Sequence, residues 1–227
     1  MMNMLKNIDA CIFDLDGTLV DSMWVWVAVD EEYIRKYNLT KPDGFHAGME
    51  GMSYTETAQY FIDCFPTLPL TREGIMEEWT KMAYEKYMTE VPPKKGVKEF
   101  LEALRARGIK TGIATSNSRE MVTDTIKALG MDGLFDSVRS ACEVAAGKPS
   151  PDVYLLVAED LQVKPENCLI FEDVPMGILA GKNAGMKTCA VEDEFSKEQA
   201  ERKRELADYY IQDYDDIING TYEVLLR

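Results

Sequence analysis

Four short apolar runs, each ending in acidic, hydroxyl or small residues, set the limits on how this chain can fold: Ile8-Asp9-Ala10-Cys11-Ile12-Phe13, Lys110 to Thr115, Cys168 to Glu172, and Lys187 to Val191. Runs this short and this apolar read as buried strands. Helical spacing fills the intervals between the later ones. Val97, Phe100, Leu101 and Leu104 keep the i, i+3, i+4, i+7 pattern, and Arg107-Gly108 supplies a cationic last turn with a glycine stop. Ser150-Pro151 predicts an N-cap and a first-turn proline ahead of Val153 to Leu161, and a helix from Pro175 to Ala184 is expected to end at Gly185. Strands alternating with helices imply an α/β fold with a Rossmann-like parallel sheet as its core and helices on both faces. The stretch from Asp208 to Arg227 predicts a last short strand and a terminal helix.

Residues 21–91 break that alternation. Trp26, Val29, Tyr33 and Tyr37 form one helical stripe, and Met76, Trp79, Ala83 and Tyr87 form another. Between them, Ser53 and Glu56 make a capping box ahead of Ala58, Phe61, Ile62 and Phe65. Asp21-Ser22 opens this stretch and Pro92-Pro93-Lys94-Lys95-Gly96 closes it with stiff loop chemistry. The expected organisation is an α/β core made of residues 1–20 and 92–227, with an inserted all-helical cap over residues 21–91.

Composition narrows the function classes. The formal charge of −15 repels phosphate backbones and anionic lipid, so neither nucleic acid nor a membrane surface is an expected partner. No apolar run approaches the ~18 residues that span a bilayer, and Asp9 interrupts the N-terminus before any signal-peptide core develops, so a cytoplasmic location is expected. The 5 cysteines show no CxxC spacing, and Cys11, Cys168 and Cys189 lie in strand-like runs, as core residues do. A single histidine, His46 in a glycine-rich loop, excludes sites that need two imidazoles and reads as a bystander. Carboxylates, lysine, hydroxyls and a hard cation remain to carry chemistry.

Asp14-Leu15-Asp16-Gly17-Thr18-Leu19 follows directly on the first strand and so sets two carboxylates at a strand's C-terminal end, where open α/β sheets bind ligands. One carboxylate in that place can attack phosphorus and the other can move the proton of the leaving group and then of water. Phe171-Glu172-Asp173 ends another strand with two more acids. If the strands are neighbours, the crowded charges call for a cation with oxygen ligands, and Mg²⁺ suits few carboxylates together with substrate oxygens. Thr115-Ser116-Asn117-Ser118 brings hydroxyls and backbone N–H groups to the same edge, and Gly147-Lys148-Pro149 offers a cation for a phosphoryl group. Gly177, Ala180, Gly181 and Ala184 form a small face for close helix packing.

In that order and over nearly the whole chain, Asp-Leu-Asp-Gly-Thr, a strand ending in Thr115, Gly-Lys-Pro and the Glu172-Asp173 pair resemble the haloacid dehalogenase (HAD) superfamily. The helical insert, with Glu172-Asp173-Val174-Pro175-Met176-Gly177 and Ala184-Gly185-Met186, is similar to the phosphatase and beta-phosphoglucomutase branch. The resemblance implies Asp14 as nucleophile and Asp16 as general acid/base. It also implies Mg²⁺ held by Asp14, the Asp16 carbonyl and Asp173 with Glu172 close by, and a phosphoryl group held by Thr115 and Lys148, with Ser116 of the same hydroxyl run a further candidate for that group. Dehalogenases of the family carry no second Asp at the place of Asp16, which disfavours that activity. Mutase members carry a cap histidine where this chain has Trp26, expected here to line the cleft against the leaving group. The reading that follows is a Mg²⁺-dependent phosphatase of a small phosphorylated metabolite. Its alternatives are a sugar phosphomutase and a non-catalytic phospho-acceptor or ligand-binding domain.

Overall fold

The computed structural model describes residues 4–49 and 52–225. Among these, strands β1 (Ala10–Phe13), β2 (Lys110–Thr115), β3 (Ser137–Ser140), β4 (Cys168–Glu172), β5 (Lys187–Val191), β6 (Tyr209–Ile211) and β7 (Glu223–Val224) form one sheet in the order β3-β2-β1-β4-β5-β6-β7. All neighbours run parallel except β7, which pairs antiparallel with β6. Phe13 stands opposite Ile113 on one side and Phe171 on the other, so β1, β2 and β4 end side by side. The chain leaves β1 for β2 in one direction and reaches β4 in the other, which makes the end of β1 the crevice where such sheets bind ligands.

Both faces of the sheet are covered, as the alternation requires. On one, Phe13, Phe100, Phe171 and Tyr214 make an aromatic core in which Phe13 and Phe171 stack with ring centres 4.8 Å apart. On the other, helix α7 (Asp152–Leu161) lays Val153, Val157 and Leu161 against Ile12 and Ile170. Helix α8 (Pro175–Asn183) uses the small face read from the sequence. A Cβ on Gly181 would stand 2.8 Å from Thr188 Cγ2 and 2.9 Å from Ile170 Cδ1, and one on Gly177 would collide with the Glu172 carboxylate.

Between β1 and helix α5 (Val97–Ala106) the described chain is helical: α1 (Met23–Lys36), α2 (Phe45–Gly48), α3 (Tyr54–Cys64) and α4 (Arg72–Thr89). The Ser53 side chain accepts from Glu56 N and the Glu56 carboxylate from Ser53 N, which is the expected capping box. The helices meet around Tyr33, Phe45, Phe61 and Trp79. Two crossings join this cap to the core, held together by Asp21 N donating to Pro92 O at 3.0 Å and Lys94 N to Leu19 O at 2.8 Å.

Several details depart from the sequence expectations. Helix α7 begins at Asp152, with Pro151 at its cap position and no side-chain cap, so Ser150 is a loop residue. The stripe of α1 is Val25, Val29 and Tyr33, which turns Trp26 out of the cap core. The C-terminal stretch does not finish on a helix. Gly220, at φ 77°, stops α10 (Asp215–Asn219) after little more than a turn, and β7 follows. No helix among the described residues is long and apolar enough to cross a membrane.

Candidate active site

Asp14 emerges from β1 with its N–H still donating to Phe171 O at 3.0 Å, so the last rung of the ladder fixes the first site residue. The chain then turns sharply. Gly17 adopts φ 78°, and a Cβ there would stand 2.7 Å from Asp173 Cγ, so both its conformation and its neighbour exclude a side chain. This close approach lets Asp173, at the end of β4, reach under the loop. Carboxylate oxygens of Asp14, Glu172 and Asp173 lie within 4.8 Å of one another, and all three residues are buried.

Lys148 is set among them. Its Nζ donates to Asp14 Oδ1 at 2.7 Å, Glu172 Oε1 at 2.5 Å and Ala114 O at 3.2 Å. Burial by itself lowers an ammonium's pKa, but the charges of Asp14 and Glu172 outweigh it and hold Lys148 above its usual value. Glu172 also accepts from Tyr154 at 2.6 Å and from Asp173 N at 3.2 Å, so its oxygens are well supplied. Asp173 differs: Thr18 donates to Oδ1 at 3.3 Å, while the buried Oδ2 has no partner. Burial pushes Asp14 up to about 8, with Lys148 pulling it back and Glu172 and Asp16 adding to the rise. Asp173 is raised by burial and then by Glu172 and Asp14. A buried carboxylate oxygen without a donor, facing two other acids, is a donor set that fits a hard divalent cation.

Asp16 points away from this cluster. Ser22 donates to Oδ1 at 2.6 Å, Asn117 Nδ2 to Oδ2 at 3.2 Å, and the Tyr87 hydroxyl makes a short bond to Oδ1. Burial raises the Asp16 pKa, and hydrogen bonds from Ser22, Tyr87, Asn117 and Trp26 offset part of the rise. The two aspartates of the motif are therefore divided between two environments, one against Lys148 and one in a cage of neutral donors.

Above them lies a cavity of about 610 Å³ walled by both core and cap. Asp14, Asp16, Thr115, Ser116, Lys148, Glu172, Asp173 and Trp26 all line it, so every residue singled out from the sequence reaches one space. Thr115 is buried and its Oγ1 accepts from Asn117 N at 3.0 Å, while Ser116 O accepts from the cap's Tyr54 N at 3.0 Å. Trp26 stands 5.8 Å from Tyr54 and 5.9 Å from Tyr87 between ring centres.

Some site residues were not singled out from the sequence. Tyr87 falls in a regular helical stripe, and only the fold reveals that its hydroxyl leaves the stripe for Asp16. Asn117 lies in the Thr-Ser-Asn-Ser run, where Ser118 proves to be the helix cap, accepting from Met121 N at 3.3 Å. His46, expected to be a bystander, lines the cavity, with Nδ1 3.6 Å from Asp30 Oδ2.

Comparison with known proteins shows the family. A family model described as haloacid dehalogenase-like hydrolase matches residues 11–191. The "Phosphorylated carbohydrates phosphatase" of Thermotoga maritima is 29% identical over 183 residues, covering 79% of this chain and 83% of its own. The "Hexitol phosphatase A" of Escherichia coli K12 is 31% identical over 180 residues, covering 79% and 81%. The crystal structure of CbbY from Rhodobacter sphaeroides in complex with phosphate superposes with a TM-score of 0.81 at 22% identity, covering 92% of this chain and 96% of that one, a likeness of fold.

Proposed function

Because this chain belongs to the haloacid dehalogenase-like hydrolases and is a phosphoric monoester hydrolase of that family, we propose that it is a Mg²⁺-dependent phosphatase that cleaves small phosphomonoesters through an aspartyl-phosphate on Asp14. The observation that carries the reading is the division of labour between Asp14 and Asp16. Asp14 is held by Lys148 at 2.7 Å against the acidic cluster, while Asp16 sits two residues on in a cage of neutral donors under the same cavity.

The chemistry follows from these placements. An Asp14 carboxylate oxygen attacks phosphorus, the P–O bond to the alcohol breaks, and the leaving oxygen takes a proton from Asp16. Burial favours the protonated form of Asp16 that this step consumes, whereas the Lys148 charge, and a bound cation, would favour the ionised form of Asp14 that attacks. Asp16, now ionised, then accepts a proton from water as its oxygen attacks the phosphoryl group, which releases inorganic phosphate and restores the Asp14 carboxylate and the protonated Asp16. Lys148, Thr115 and Ser116 hold the phosphoryl oxygens. Asp14, the Asp16 carbonyl and Asp173 are the residues to hold Mg²⁺, with Glu172 orienting Lys148. When bound, the ion offsets negative charge on the transferring group. The segment 21–91 closes over the reaction as a cap and excludes bulk water.

Similarity to a carbohydrate phosphatase and a hexitol phosphatase supports phosphorylated sugars and polyols as the substrate class. The position of Asp16 weighs against a mere phospho-acceptor, which needs no proton shuttle. The mutase reading asks the cap for an acid/base at the site of Trp26, where an indole cannot serve. A screen of phosphorylated metabolites for phosphate release with Mg²⁺, with and without excess EDTA, tests the proposal. Release that stops on chelation and returns with Mg²⁺ is expected. Activity unchanged in EDTA overturns the metal requirement, and quantitative conversion of a hexose 1-phosphate into the 6-phosphate establishes the mutase.

A further inference from the structure

One face of α1 builds the cap wall of the cavity. Met23, Trp26, Val27 and Asp30 are spaced i, i+3, i+4, i+7 and all line it, so a single carboxylate follows three apolar side chains along the wall. The phosphoryl end of the cavity is at the bottom of this face, since the Trp26 ring stands 5.9 Å from that of Tyr87, whose hydroxyl bonds Asp16. Asp30 is four residues further along the helix, about 6 Å higher. That distance places Asp30 beside the far end of a leaving group whose ester oxygen lies near Asp16.

Asp30 has acceptor capacity to spare. Its side chain is 16% exposed, and its one close ionic partner among the described residues, His46 Nδ1, stands at 3.6 Å, outside hydrogen-bond range. Lys41, the nearest alternative cation, is committed to Glu31 at 2.5 Å. The charge around the cavity points the same way. Among the described lining residues the carboxylates are Asp14, Asp16, Asp30, Glu172 and Asp173, while the only lysine or arginine is Lys148, already shared between two of them. A donor-bearing leaving group satisfies Asp30, whereas a second anion beside it meets a like charge in a confined space.

We propose, building on the phosphatase reading above, that Asp30 is the specificity-determining residue of this enzyme: it accepts hydrogen bonds from hydroxyls at the far end of a polyol or sugar monophosphate and repels substrates with a second anionic group there. The apolar residues below it pack against the carbon skeleton, and the carboxylate reads the end.

A matched pair of probes isolates the effect. Sorbitol 6-phosphate and 6-phosphogluconate share a skeleton and differ at the end remote from the phosphate, a hydroxymethyl against a carboxylate. Measured as kcat/KM at pH 8, where Asp30 is ionised, the wild-type enzyme should favour the hexitol ester by about tenfold or more. Asp30→Asn, which keeps size and shape, should shrink that ratio by about fivefold or more through faster turnover of phosphogluconate. Asp30→Ser serves as the second variant should Asn perturb folding, with circular dichroism as the check. A wild-type preference for phosphogluconate, or a ratio unmoved in both folded variants, overturns the role of Asp30. p-Nitrophenyl phosphate separates the two proposals. Phosphate release from it alongside an unmoved ratio refutes the specificity role alone, and absence of release from every ester refutes the phosphatase reading and this inference with it.

Discussion

Asp14 and Asp16 are neighbours in sequence with opposite surroundings, and single substitutions should expose the difference. Asp14→Asn keeps a near-isosteric side chain beside Lys148 but loses the nucleophile, so phosphate release should fall roughly a thousandfold or more while the thermal melt stays close to wild type. Asp16→Asn keeps its backbone carbonyl and loses the proton, so metal and substrate should still bind while kcat drops. Lys148→Arg should not restore what Lys148→Ala removes, because the planar guanidinium cannot converge on Asp14, Glu172 and Ala114 O as an ammonium does. Asp30 makes a different prediction, about stability. Burial pushes its pKa up to about 7, with Lys41 pulling it back, Glu31 adding to the rise and His46 also facing it. An unfolded Asp titrates near 4, so between about 4 and 7 the folded chain binds the extra proton and stability falls as pH rises, the loss being complete above that window. Asp30→Asn should therefore raise the melting temperature more at pH 8 than at pH 5, and an equal gain at both contradicts the assignment. At this scale the acids and Lys148 were legible because each sits beside a strand end or between Gly and Pro. Tyr87 and Asn117 were not, since one long-range hydroxyl contact leaves no trace in a helical stripe and an amide within Thr-Ser-Asn-Ser reads as turn or cap chemistry.

Elements were legible where burial made them so. The runs at β2, β4 and β5 coincide with the observed strands because both faces of each are covered and all but the first residue of β2 and β5 are buried. Strand β3, Ser-Val-Arg-Ser, lies at the sheet's edge with Val138 its single apolar residue, and β7 is two exposed residues held by pairing with β6, so neither has a period to read. Helix α8 shows how an element's packing shapes the site. Its Gly181 lets the helix lie on β4 and β5, and its Gly177 leaves room for Glu172 to turn toward Lys148. Gly181→Ala should destabilise by about 1–3 kcal/mol through overpacking, in spite of alanine's better helix propensity, as read in a denaturant melt. Gly177→Ala should also displace Glu172 and so impair activity beyond its effect on stability. If both variants lose stability and only Gly177→Ala loses kcat/KM in its folded fraction, the two glycines have the separate duties the packing indicates.

At the scale of the whole molecule the question is how the cap and the core act together. Two of their contacts fall on the loops that hold Ser116 and Lys148. Tyr54 N donates to Ser116 O at 3.0 Å, and the Glu56 carboxylate, while capping its own helix through Ser53 N at 2.7 Å, also accepts at 3.2 Å from the N–H of Gly147, next to Lys148. The same side chain thus starts a cap helix and grips the loop that carries Lys148, the cation proposed to hold the phosphoryl group. Burial raises the Glu56 pKa, but the Ser53 and Gly147 N–H groups outweigh it and leave the carboxyl below its usual value. Its contribution is present above the unfolded pKa and fades only as pH falls through the lowered one, so the latch is intact across the neutral range. Its sequence signature, Ser53 three residues before Glu56, announces only the helix cap, because the second partner lies far along the chain. A pair of variants separates the two duties. Ser53→Ala removes the cap's side-chain acceptor and should cost about 1 kcal/mol of stability with kcat/KM nearly kept. Glu56→Ala should cost a similar amount of stability and in addition lower kcat/KM by about tenfold, since a loosened cap admits water and frees the Lys148 loop. Comparing the two at matched distance below their melting temperatures decides the matter: equal losses of activity would make Glu56 a helix cap and nothing more.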